Sequence, residues 1–261
     1  MQKINPQWRR PRFGLAFATA LLIGTSLVSA QHQTAAATNA PPPPKHPWET
    51  TAAAGLTLTR GNSKTLLATL SLDSKRKWEG NEALFGIAGG YGEDKDTKNT
   101  EFVNAFGQYN RLFSHRFYGG LRLDGVYDGI AQLDYRVRLS PLAGYYLIKE
   151  TNTTLVVETG PSAVFEKHRG QGEETYLGFR AGERFEHKLS ASTRLWESLD
   201  YVPRVDAWTE KYVITAEAGI DSAINKHWSL RVLFQDVYDS APTAGRTSND
   251  MRLVAGAAYK F

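Results

Sequence analysis

The chain has 261 residues, no cysteine, 23 glycines, 41% hydrophobic residues and 11% aromatics. The absence of cysteine excludes disulfides, thiolate metal sites and thiol nucleophiles together. Low mean hydropathy, with no uncharged apolar run beyond residue 30, excludes a helical multispanning membrane protein. The net charge of +4 argues against nucleic acid as a partner once it is located: Lys3, Arg9, Arg10 and Arg12 supply +4 with no acid in residues 1–30, leaving 27 basic and 27 acidic residues in 31–261.

In chain order, three arginines between Gln7 and Phe13 precede a charge-free, largely apolar stretch from Gly14 to Val28. Val28-Ser29-Ala30 then offers small or compact residues where a signal peptidase reads, so residues 1–30 are expected to be a signal peptide cleaved after Ala30. A retained membrane anchor is the alternative for this stretch; a lipoprotein is excluded for want of a cysteine. Residues 31–47, QHQTAAATNAPPPPKHP, cannot bury a core and are expected to form a disordered periplasmic tether.

From Trp48 the hydrophobic period becomes two. Between Tyr135 and Leu147 the odd positions read Tyr, Val, Leu, Pro, Ala, Tyr, Leu, against Arg136, Arg138, Ser140, Leu142, Gly144 and Tyr146. That alternation is a strand signal, and it is longer than the roughly 9–11 residues that cross a bilayer. The pattern recurs and predicts twelve strands, near 48–60, 63–78, 83–92, 100–112, 116–128, 134–147, 153–166, 174–187, 193–204, 210–222, 227–239 and 249–261. The fold expected for 48–261 is a single closed antiparallel transmembrane β-barrel.

The connections sort by side. WEGNE, LFSHR, IKETN, HKLSAS and INKH are short, whereas GEDKDTKN, HRGQGEE and SAPTAGRTS are longer and more polar, as in outer-membrane barrels. Aromatics sort by height: Tyr91, Tyr127, Tyr135, Phe165, Tyr176, Trp208, Tyr212 and Tyr238 toward the outer ends, Trp48, Trp78, Phe113, Phe117, Trp196, Trp228, Tyr259 and Phe261 toward the inner. The chain ends Gly256-Ala-Ala-Tyr259-Lys-Phe261, which looks like the terminal signal read by barrel-assembly machinery; Val254 departs from the polar residue usual before the glycine. Pro141, Pro161 and Pro203 fall inside predicted strands, where bulges are expected. Glu183 and Glu197 fall on the nominal lipid face, which requires either a place at the inner interface or a register shift in strands eight and nine.

Trp48, the LTLTRGNSKT turn through Gly61, Asn62 and Ser63, the Arg180–Arg184 stretch, the Ser198–Pro203 stretch and the ending from Asp239 to Phe261 together resemble the salt-induced outer-membrane protein family over 48–261. The resemblance implies a Gram-negative outer-membrane barrel and carries over no catalytic residue, metal or cofactor.

Three roles fit such a chain. In a narrow channel for a small solute, the inward rows would carry Arg122, Asp124, Arg136, Arg138, Glu158, Arg180, Arg184, Glu217, Arg231 and Arg252. Mutual pairing of these charges would instead plug the lumen, leaving a structural or surface-contact barrel. An outer-membrane hydrolase would need a histidine at the outer rim, and only His168, near Glu166 and Glu173, is placed in an outer loop. The partners expected are outer-membrane lipid and the assembly machinery, and the expected state is a monomer.

Overall fold

The computed structural model describes residues 48–59 and 65–261. The signal peptide with its cleavage after Ala30, the tether and the Gly61–Ser63 turn lie outside the described residues. Twelve strands are present among the described residues, and no helix: β1 Glu49–Thr59, β2 Thr65–Trp78, β3 Asn81–Asp94, β4 Thr97–Leu112, β5 Phe117–Asp128, β6 Leu133–Lys149, β7 Thr153–His168, β8 Glu173–Lys188, β9 Thr193–Pro203, β10 Tyr212–Ala223, β11 Trp228–Asp239 and β12 Asn249–Lys260. Each pairs antiparallel with its sequence neighbours, and β1 pairs with β12, so the sheet closes into a barrel. Closure leaves no strand with a wholly free edge, which an apolar solvent would penalise at every unpaired backbone group.

Exposure follows the sequence alternation. Leu121, Leu123, Leu139, Tyr145 and Leu147 face outward, while Tyr118, Ser140, Tyr146 and Glu158 on the opposite rows are buried in the lumen. Rings cluster outside at both ends. Tyr212 stacks on Tyr238 at 5.9 Å at one end; at the other, Tyr259 meets Trp228 and Phe261 edge-on, each at 5.0 Å. Two rings assigned to these girdles turn inward instead. Tyr176 reaches Glu166 in the lumen at 3.2 Å, and Trp196 lies where a Cβ on Gly219 would be. In β8 and β9 charged, aromatic and small residues occupy both rows, so alternation there carries little facing information.

Loop sorting is weaker than the sequence implied. Lys95 and Asp96, both at positive φ, turn β3 directly into β4, so most of GEDKDTKN is strand. Of HRGQGEE only residues 169–172 lie between β7 and β8, which leaves 204–211 and 240–248 as the long described connections. These define a long-loop end; the turns after β2, β4, β6, β8 and β10 define a short-turn end.

The proline expectation is corrected. Pro141 and Pro161 face each other across the β6–β7 seam with no register shift between the flanking pairs Leu139↔Ala163 and Ala143↔Thr159. Pairing lapses over 140–142 and 160–162, and the seam's shifts fall elsewhere, at Leu133/Tyr135 and Tyr146/Ile148. Two prolines placed opposite remove both donors at one rung, so no bulge is needed to keep the flanking ladder in phase. On the lumen side the fully buried Ser140 and Ser162 hydroxyls bridge the gap at 2.6 Å. Pro203 ends β9, where its pairing with Tyr212 is unshifted. Replacing both seam prolines by valine, and so restoring two ladder donors, is expected to stabilise the barrel by about 1–2 kcal/mol; urea titration of the folded fraction measures it.

Glu183 and Glu197 stay on the outward row. β8–β9 pairing runs unshifted from Ala181↔Tyr201 to Lys188↔Arg194, so no bulge relocates them. One seam differs from the rest. β1 and β12 share only the pairs from Thr51↔Lys260 to Gly55↔Gly256, beyond which Leu56–Thr59 pair with β2 alone.

Candidate functional site

The lumen holds the polar chemistry, and the ten charges named from sequence all lie on its rows. Glu158, 3% exposed, is the hub of the short-turn half. It accepts hydrogen bonds from Tyr118 Oη at 2.5 Å, Gln108 Nε2 at 2.6 Å, Arg184 Nη2 at 2.8 Å and Arg180 Nη1 at 2.9 Å. A buried carboxylate is tolerated only when its lone pairs are filled in this way. Arg180 also meets Asp200 at 2.5 Å, and Arg122 pairs with Asp124 at 2.8 Å while its guanidinium lies 4.3 Å from the Phe106 ring centre. Tyr146 packs on Tyr118 at 5.6 Å and donates to Glu82 at 2.7 Å. Gly144 makes this possible: a Cβ there would stand inside the Tyr118 ring.

The long-loop half is bridged from wall to wall. Arg252 on β12 reaches Asp128 on β5 at 3.0 Å, and Arg136 on β6 reaches Asp239 on β11 at 3.1 Å. Each bridge joins strands five apart in a ring where six is diametric. Arg136 also pairs with Glu166 at 2.5 Å, and Arg252 with Asp250 at 3.2 Å. Above them the 240–248 loop is pinned across the mouth by Thr243 Oγ1, 3.0 Å from His168 Nδ1 and 3.4 Å from the Ala131 carbonyl. The 204–211 connection is clasped by Arg204, which binds Glu174 and, at 2.7 Å, Asp206. That guanidinium holds the Asp206 carboxyl below its usual range, so the clasp survives acidification through the ordinary carboxylate range and loosens only at lower pH.

His168 does not sit in an exposed loop. It closes β7, half-buried, with Glu166 Oε1 3.8 Å from its Nε2. That separation is beyond hydrogen-bond range, and Glu166 is already held by Arg136, so the set anchors a loop. Glu173 is not part of it. Among the described residues, no three His, Asp or Glu side chains are grouped to hold a metal.

Arg231 on β11 and Glu217 on β10 line the opposite wall, whereas Arg138 sits beside Arg136 on β6. Arg231 grips Asp221 through two bonds at 2.7 and 3.1 Å, with Asp73 at 3.6 Å. Glu217 accepts from Gln235 Nε2 at 2.6 Å. Arg138 makes no hydrogen bond or ion pair among the described residues, and its Nε is buried without a partner. Sequence reasoning missed Gln108, Asp128, Asp200 and Asp239. Gln108 sits in the run Asn104-Ala-Phe-Gly-Gln-Tyr-Asn110, whose polar alternation was available; the cross-lumen acids carry no local signal, because their partners come from across the barrel.

A twelve-stranded closed barrel with an apolar outer band, two aromatic belts and a charged lumen defines the outer-membrane type of β-barrel. Among solved structures, the chain is similar to the NanC porin, with 4% identity, a TM-score of 0.50, and coverage of 81% of this chain and 98% of that one. It is also similar to the KdgM porin in complex with disordered oligogalacturonate (10%, 0.45, 81% and 99%). The translocator domain of the autotransporter NalP from Neisseria meningitidis matches at 17% identity and a TM-score of 0.42, covering 82% and 87%. These likenesses concern the fold. Residues 52–261 match the family described as protein of unknown function, DUF481, and the chain belongs to that family. No curated protein matches it in sequence.

Proposed function

We propose that this barrel is a narrow channel for small polar solutes in the outer membrane of a Gram-negative cell, shut in the conformation seen here, and that it is not an enzyme. The observation that carries this reading is the pair of cross-lumen bridges, Arg252–Asp128 and Arg136–Asp239. A barrier made of ion pairs between opposite walls separates without breaking a packed core, and ions in the lumen compete for it. A plugged barrel is the second reading, favoured by the Glu158 network, which ties β4, β5, β7 and β8 together in the short-turn half.

Single-channel recording in planar bilayers tests the choice. Discrete steps whose size rises with salt more steeply than bulk conductivity support the channel; a folded but silent barrel at every salt concentration supports the plug. For biogenesis, Phe261 is proposed as the residue that the assembly machinery reads. Its amide donates to the Thr50 carbonyl at 3.0 Å and its ring packs on Tyr259, so it also locks the closing seam. Phe261→Ala is expected to lower the folded outer-membrane yield severalfold, measured by heat-modifiable gel migration.

A further inference from the structure

One stretch of the lumen wall is left unfilled. Where β4–β9 project Tyr, Arg and Glu side chains inward, the facing rows of β1, β3 and β12 carry Ala53, Gly55, Ala88 and Val254. With Phe102 and Leu233 these residues line a mainly apolar recess with a cavity volume of about 80 Å³. The recess lies beside the short β1–β12 seam, whose pairing stops at Gly55↔Gly256. Three charged side chains border it, and two of them are spent. Arg231 is held by Asp221 and Asp73, and Arg252 by Asp128 and Asp250. The third, Glu217, has Gln235 as its hydrogen-bond partner and no cationic nitrogen within 4 Å among the described residues. The electrostatic balance at the recess is therefore negative: each bordering arginine already faces two carboxylates, and Glu217 adds another. Cations are also accepted against the apolar wall, since the Arg252 guanidinium lies 4.1 Å from the Phe102 ring centre.

We propose that this recess is a binding site for an amphipathic organic cation, a primary amine with a short alkyl or aryl body. The ammonium pairs with Glu217, and the body fills the space over Ala88, Gly55 and Val254. A neutral alcohol of the same shape would leave the carboxylate without a counter-charge, and a carboxylic acid would add repulsion to it. The site does not depend on the channel reading, because binding needs only the folded wall.

The test uses the detergent-solubilised protein and three probes of one shape, butylammonium, butanol and butyrate, with binding followed by calorimetry and ligand-observed NMR. Saturable binding of butylammonium is expected, weakened at least tenfold by Glu217→Gln, with neither butanol nor butyrate competing at equal concentration. Ala88→Leu fills the recess and leaves the carboxylate, so it is expected to weaken binding to a similar degree; it carries the test if Glu217→Gln does not fold. The proposal is overturned if wild-type protein binds no butylammonium saturably, if a folded Glu217→Gln binds it undiminished, or if butyrate competes equally well. Amine binding by a barrel that never conducts would keep the recess and sink the channel; conduction without amine binding would do the reverse.

Discussion

Asp128→Asn combined with Asp239→Asn is expected to open the barrel. Each substitution removes the carboxylate at one end of a wall-to-wall bridge while keeping side-chain volume, so the lumen loses its two long-range ties without a new cavity. Partly solvated pairs of this kind are worth on the order of 1 kcal/mol each. Losing both shifts the closed–open balance by about 2 kcal/mol, close to thirtyfold in open probability. Salt is expected to mimic the variant in wild-type protein, because the screening length falls from about 10 Å at 0.1 M to about 3 Å at 1 M. Single-channel traces at the two salt concentrations read both effects: the wild type opens more at high salt, and the double variant is open at either. If the double variant is as silent as the wild type at every salt concentration, the barrier lies in the Glu158 network and the channel reading fails.

Gly144→Val is expected to be the most damaging single change in the wall. Its Cβ would occupy the Tyr118 ring, a side chain with 0% exposure, and the ring cannot move without withdrawing its hydroxyl from Glu158. Overpacking of this kind costs about 1–3 kcal/mol, and weakening a hydrogen bond to a buried charge adds about 1.5–3 kcal/mol. A loss of about 3–5 kcal/mol in urea unfolding is therefore expected. Gly125→Val is the control. It lies on the outward row of β5, where a Cβ meets nothing within 4 Å, so little change is expected. A Gly125 variant as damaged as the Gly144 variant would mean that strand propensity, and not the Tyr118 contact, sets the cost.

Much of this architecture is written locally. The period-two rows from Tyr135 to Leu147 and from Phe117 to Tyr127 specify which side chains meet the apolar surround, because successive residues of a strand point to opposite faces. Strand number follows from counting those rows and their turns. Facing was illegible where both rows are mixed: Tyr176 and Trp196 look like girdle rings, and nothing adjacent in sequence says that Glu166 and Gly219 await them inside. The prolines misled in the same way. Pro141 and Pro161 each suggest a bulge when considered singly, and only their meeting across β6–β7 removes the need for one.

Sequence alone thus determines that the chain closes as a barrel with rows of charge turned inward, since burial preference and backbone pairing are properties of each strand and its neighbours. The tertiary structure decides how those charges are spent. Arg252 and Asp128 are 124 positions apart, and Arg136 and Asp239 are 103 apart, so their pairing exists only once the ring has closed. The same closure leaves Glu217 facing an unfilled recess, because the wall opposite the arginines was built from glycine and alanine.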